Sequence, residues 1–211
     1  MGKAKNGIFG AINGKVGNLV FYKLNGEDLV RRLGDRTGKL SIAQLANCEK
    51  MSLIVLLFSK MKPFLKVGFG NEAIGTNKNY HNIATSYNKA NAFELHDGML
   101  TLNYENVRLS QGNALAPRNP AVEVVNEGLR FNWAYAEDQD WDARTDQVMM
   151  MAYLPDDNDA TYITSGARRS AGSDVLQIHP TLKNKRMEVF MSFVTDDRQS
   201  VATSVYLGRF N

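Results

Sequence analysis

Three stretches of this 211-residue chain carry residue types that do chemistry in other proteins. The first is GIFGAINGKVGNLVFYKLNG, residues 7–26, with five glycines and two lysines. A phosphate loop needs G-x-x-x-x-G-K-[ST] between a strand and a helix, so that backbone N–H groups and the helix end face the phosphate. Here Gly14-Lys15 runs into Val16 and strand-like residues. The glycines therefore read as backbone that must turn or pack closely. The second stretch is EDQDWDARTD, residues 137–146, where Asp138, Asp140 and Asp142 alternate like the first ligands of an EF-hand loop. Ala143 stands where that loop requires Gly, and Met149 where it requires Glu. These aspartates are the weak metal candidates. A solvated loop is the default, and a Ca²⁺ site of another construction between sandwich loops is the alternative. The third is GARRSAG, residues 166–172, whose paired arginines suit a carboxylate or a phosphate, or simply a charged turn.

The remaining chemistry is sparse. His81, His96 and His179 are scattered, with no pair at i, i+4, and no G-x-S-x-G elbow is present. No catalytic residue and no cofactor is assigned, and the protein is expected not to be an enzyme. Cys48 is the single cysteine, which rules out a disulfide framework. Its apolar helical surroundings predict a buried, inert thiol. Trp133 and Trp141 are a conceivable sugar-stacking pair. Trp133 sits at an alternating apolar position and reads as core, whereas Trp141 in the acidic loop reads as a contact residue.

The elements that would position these groups are of two textures, an α+β organisation. Val16 to Tyr22 reads as a strand, Asn25-Gly26 as a hairpin turn, and Glu27 to Leu33 as the returning strand. Residues 41–66 read as a helix that starts at a Ser41/Gln44 capping box and is ended or kinked by Pro63. Its run LIVLLF predicts burial on most sides. FLKVGFGNEAIG then reads as a turn-rich exit, and residues 77–93 as a second helix. Pro117 and Pro120 mark the best boundary. The expected domains are a hairpin and helical region, 1–116, and a β-sandwich, 117–211. Seven short strands fill the second: 121–125, 128–134, 146–153, 160–164, 174–178, 187–195 and 201–208.

Charge divides the chain as well. Residues 1–70 hold 12 Lys and Arg against 4 Asp and Glu, and residues 71–211 hold 13 against 18. Such asymmetry suits nucleic acid, or copies of the chain that attract each other. The N-terminus has no apolar core ahead of a cleavage site, and the longest apolar run is far shorter than the roughly 20 residues of a membrane helix. Cytoplasmic synthesis without a cleaved signal is expected, and no membrane partner.

The C-terminal half resembles a fibronectin-type-III-like or immunoglobulin-like module, on Trp133 and on the long penultimate strand before SVATSVYLG. The whole chain also resembles a family of Bacteroidota proteins known as a domain of unknown function. The matching segments are NGIFGAINGKVGNLVFYKLNGEDLVRR, LSIAQLANCEKMSLIVLLFSKMKPFLKVGF, TSYNKANAF, LSQGN, RSAG and SVYLG. That resemblance implies a structural or interaction module and supplies no catalytic residues. The expected function is a non-enzymatic assembly protein that self-associates, with a phage virion or tail-associated role and a filament subunit as versions of one idea. The interface candidates are Ile8, Phe9, Ile12, Val16, Leu19, Phe21, Arg31, Arg32 and Trp141. The rival reading is a ligand-binding module, either for nucleic acid through Lys3, Lys5, Lys15, Arg31, Arg32 and Arg36, or for glycan through the sandwich loops.

Overall fold

A computed structural model describes residues 2–4, 10–34, 38–96, 99–138 and 140–211. The chain folds into two compact units, Met1–Ser41 and Ile42–Asn211.

The first unit is a four-stranded antiparallel sheet in chain order: β1 (Lys3–Ala4), β2 (Ile12–Val16), β3 (Leu19–Leu24) and β4 (Glu27–Arg32). The hairpin at Asn25-Gly26 is as expected. Both residues have positive φ, 51° and 90°, which matches the right-handed twist of the flanking strands. The single strand expected over Val16–Tyr22 is instead two. Gly17 adopts φ 58° and turns the chain with Asn18, so Val16 pairs with Leu19. The glycine that looked like part of a strand is the turn residue of a second hairpin.

The second unit starts with three helices rather than two: α1 (Ile42–Phe58), α2 (Lys62–Ala73) and α3 (Tyr80–Asn91). The first helix ends at Phe58, ahead of Pro63, and Pro63 instead lies in the first turn of the next. In a first turn its missing N–H costs nothing. FLKVGFGNEAIG, expected as a turn-rich exit, lies largely in α2. Gly68 is there for packing. A Cβ at this position would lie 2.3 Å from the Leu109 carbonyl oxygen, and the Gly68 carbonyl accepts the Gln111 N–H at 2.9 Å. Asn79 caps α3 by accepting the Asn82 N–H at 2.8 Å. α1 is less enclosed than its apolar composition suggested. Ile54, Leu57 and Phe58 are buried, while Ile42, Leu45, Val55 and Leu56 are exposed, and so is Cys48. A short hairpin follows, β5 (Phe93–His96) with β6 (Met99–Leu102).

Seven strands complete the unit: β7 (Ala121–Val125), β8 (Gly128–Asn132), β9 (Gln147–Leu154), β10 (Asp159–Ile163), β11 (Ser173–Gln177), β12 (Met187–Val194) and β13 (Val205–Phe210). They form two antiparallel sheets, ordered β11-β8-β7 and β10-β9-β12-β13. Between the sheets lie Leu129, Phe131, Trp133, Val148, Met150, Leu176, Val189, Met191 and Phe193. The opposite face of the larger sheet, with Met149, Met151, Tyr153 and Phe190, packs on Ile54, Phe58, Phe64 and Phe69 of α1 and α2. The centre of β9, VMMMAYL, is therefore continuously apolar because both of its faces are covered. Helices and sandwich share this middle sheet, so the boundary expected at 116/117 falls inside one unit, and the break in compactness lies at 41/42.

Candidate functional site

Chemistry-bearing side chains of the second unit are held by its own fold. Arg169, of the GARRSAG stretch, is fully buried. Its guanidinium donates to the Leu115 carbonyl at 2.6 Å and the Ala116 carbonyl at 3.3 Å, and pairs with Asp146 at 3.3 Å. It also lies 3.7 Å from the Phe193 ring centre. Burial pushes the Asp146 carboxyl above the usual carboxylate range, against the pull of Arg169, and burial lowers Arg169 as well. This arginine grips an internal carboxylate, and Arg168 beside it is exposed.

The three aspartates do not converge. Asp140 is buried, pairs with Arg118 at 2.9 Å and accepts the Ala136 N–H at 3.0 Å, while Asp138 and Asp142 are exposed. Among the described residues no three His, Cys, Asp or Glu side chains come together as a metal would need. The tryptophans do not pair either. Trp133 is buried and donates its indole N–H to the Arg169 carbonyl. Trp141 is 51% exposed, with Arg144 stacked 4.1 Å from its ring centre. His81 sits edge-on to Phe58, and His179 caps the turn at 180–182.

Sequence reasoning missed two buried polar clusters. Glu188 is completely buried, paired with Arg186 at 2.9 Å and Arg209 at 3.0 Å, and it accepts the Tyr206 hydroxyl. Asn88 of α3 clasps the backbone of Arg108, donating to its carbonyl at 2.8 Å and accepting its N–H at 2.9 Å. Nothing in the spacing of Asn88 or Glu188 announces them: Arg108 lies twenty residues from Asn88, and although Arg186 is close to Glu188, Tyr206 and Arg209 come from another strand. A cavity of about 280 Å³ opens at one end of the sandwich beside Val124, Leu129, Ile178 and Met187. Lys183 at its rim already donates to the Asn126 carbonyl.

The first unit is different in kind. None of its described residues is buried. Strand alternation and the register β1-β2-β3-β4 sort its side chains onto two faces. One face carries Ile12, Val16, Leu19, Phe21 and Val30, with Asp28 and Arg32 toward its edge. Val16 pairs with Leu19 and Phe21 with Val30, so these apolar groups touch across strands. Val16 is 48% and Val30 55% exposed. The other face carries Lys3, Lys15, Arg31, Val20, Tyr22 and Leu29. Four interface candidates, Ile12, Val16, Leu19 and Phe21, thus share one face with Arg32, and Val30 joins them. Arg31 points to the other face. Ile8, Phe9, Lys5 and Arg36 lie outside the described residues.

Among the described residues no helix is long and apolar enough to cross a membrane. Nothing matched among curated proteins or among solved structures. A family model does match, over residues 11–208, which takes in β2–β4 of the first sheet, all three helices and both sandwich sheets except the last two residues of β13. The chain belongs to this family, a family of unknown function (DUF6266).

Proposed function

We propose that this chain is a non-enzymatic structural or assembly protein that self-associates through its N-terminal sheet. One observation carries the reading: a four-stranded sheet with a contiguous apolar face and not one buried residue among those described. A sheet needs a second layer against that face to be stable in water, and the described residues of the unit supply none. The charged groups of the second unit support the same reading, because Arg169, Glu188 and Asp140 are spent on internal partners. The sandwich itself is of the fibronectin-type-III kind on this reading, with three antiparallel strands facing four. A virion component and a filament subunit are the forms such a module takes, and a Bacteroidota source fits the segments that resemble that family.

The test is light scattering after size exclusion, on the full chain and on a chain lacking residues 1–36. Assembly that depends on the N-terminal residues supports the reading. Two monomeric species at high concentration overturn it. One observation favours a second reading: Lys3, Lys15 and Arg31 share a face with Tyr22, a cationic surface with an aromatic group that suits nucleic acid. Binding to single-stranded nucleic acid that weakens steeply with salt would support it.

A further inference from the structure

β4 reads Glu27-Asp28-Leu29-Val30-Arg31-Arg32: two acids, two apolar residues, two bases. Read backwards with Val30 set on itself, Asp28 meets Arg32, while Leu29 meets Arg31 and Glu27 meets Leu33. Among the described residues the strand is the last of the sheet and pairs only with β3. The hydrogen-bonding parity is set by the two-residue turn, where Leu24 faces Glu27, and by the Leu33 N–H, which donates to the Asn18 carbonyl at 2.6 Å. Glu27, Leu29 and Arg31 therefore bond to β3, and Asp28, Val30 and Arg32 turn their N–H and C=O groups outward. No proline, lysine or bulge blunts this edge. Among the described residues none of Glu27, Asp28, Arg31 and Arg32 forms an ion pair.

We propose that the β4 edge is a dimer contact that adds, antiparallel, to the β4 edge of a second copy, centred on Val30. Building on the assembly reading above, this pairing names the contact. It sets Val30 opposite Val30, and Asp28 opposite Arg32 twice, once on each side of the two-fold axis. The three residues whose backbone groups face outward are those an antiparallel pair centred on Val30 must hydrogen-bond. A parallel arrangement would place like charges side by side. The two-fold axis is perpendicular to the sheet, so both apolar faces lie on one side of a continuous eight-stranded sheet, four strands from each copy.

The experiment is sedimentation velocity on full-length chains, one of them fluorescently labelled. Asp28→Arg alone sets Arg against Arg32 of the other copy, and Arg32→Asp alone sets Asp against Asp28. Each should weaken self-association on the order of thirtyfold, two favourable pairs having become repulsive. An equimolar mixture of the two variants restores both opposite-charge pairs and should assemble as tightly as the unaltered chain, a rescue that local misfolding cannot produce. Val30→Pro removes an outward N–H that β3 does not use, and should abolish assembly in every combination. A mixture no tighter than either variant alone overturns the proposal. Variants that all assemble like the unaltered chain overturn it too, and leave the contact elsewhere with the assembly reading intact. An unaltered chain that stays monomeric at its highest soluble concentration overturns both.

Discussion

Replacing Arg169 by methionine tests whether the sandwich hangs on a buried charge pair. The substitution keeps an unbranched apolar stem and removes the guanidinium, which holds Asp146, two consecutive carbonyls and the face of Phe193. Asp146 is 4% exposed, so it is left as a buried carboxylate without its counter-charge. Breaking one side of such a pair costs about 3–5 kcal/mol. The Arg169 Nε has no partner, so the site is not fully satisfied even when intact. The assay is urea unfolding at neutral pH, followed by near-ultraviolet circular dichroism, since Trp133 donates to the Arg169 carbonyl and stacks edge-on against Phe193. Arg169→Met with Asp146→Leu removes both charges and should recover about 2 kcal/mol of the loss, the unmet Leu115 and Ala116 carbonyls keeping the remainder. The pH dependence has a definite sign. The folded Asp146 pKa lies above its unfolded value, so the folded state binds the proton more readily and gains relative stability as pH falls through that raised pKa. Protonation neutralises the orphaned carboxylate, so the Arg169→Met penalty should shrink in acid. A neutral-pH loss under about 1 kcal/mol, or a penalty that does not shrink in acid, refutes the reasoning.

Two further tests address the other parts of the second unit. Gly68→Ala drives a methyl group into the Leu109 carbonyl and the Ser110 backbone, and should cost about 1–3 kcal/mol in thermal unfolding, whereas Gly70→Ala, with open space around it, should not destabilise. Burial pushes the Tyr104 phenol up to about 12 and raises Tyr206 and Tyr153 as well. The unfolded phenols begin to ionise near the ordinary value of 10.0 while the folded ones hold their protons, so stability should be full below that pH and fall as pH rises toward 12. Absorbance titration of the phenolates, with circular dichroism at each pH, checks both halves of this statement.

How much was legible depends on how local the cause was. The sandwich strands announced themselves through alternation in Leu129-Phe131-Trp133 and Val189-Met191-Phe193, because one face of each meets the other sheet. The Asn25-Gly26 turn was equally plain, since its chemistry sits in two adjacent residues. Gly68 and Gly17 were misread for one reason. A glycine signals that a Cβ is unwelcome, but not whether a turn or a neighbouring backbone excludes it. At Gly68 the neighbour is Leu109, some forty residues on. Asn88, Glu188 and Arg169 look like surface residues in sequence, and only the return of distant segments makes them buried hubs. Ile12, Val16, Leu19 and Phe21 stood among nine interface candidates on their apolar character alone; that they share one face, and that the Gly17 turn divides them between two strands, follows from pairing that the sequence does not display.

The two units differ in what their polar groups are committed to, and that difference is what supports the proposed assembly role. In Ile42–Asn211, the Ser110 and Ser192 hydroxyls lie 2.8 Å from each other and each lies 2.8 Å from the Ala202 carbonyl, and Ser204 accepts the Leu109 N–H, so even the LSQGN segment acts as a clamp between strands and loop. RSAG contributes the buried Arg169 and the left-handed Gly172 that ends its turn. Segments that mark the family resemblance in this unit therefore build the scaffold. In Met1–Ser41 the relation is reversed. The stretch GKVGNLVFYKLNGEDLVRR builds two hairpins, and nothing it contains is buried. Turn residues as specific as Gly17, Asn25 and Gly26 fix a register there, yet among the described residues that register encloses no core. A precise sheet whose described residues leave an apolar face exposed, beside an edge that can pair with its own copy, is what the proposed assembly would complete.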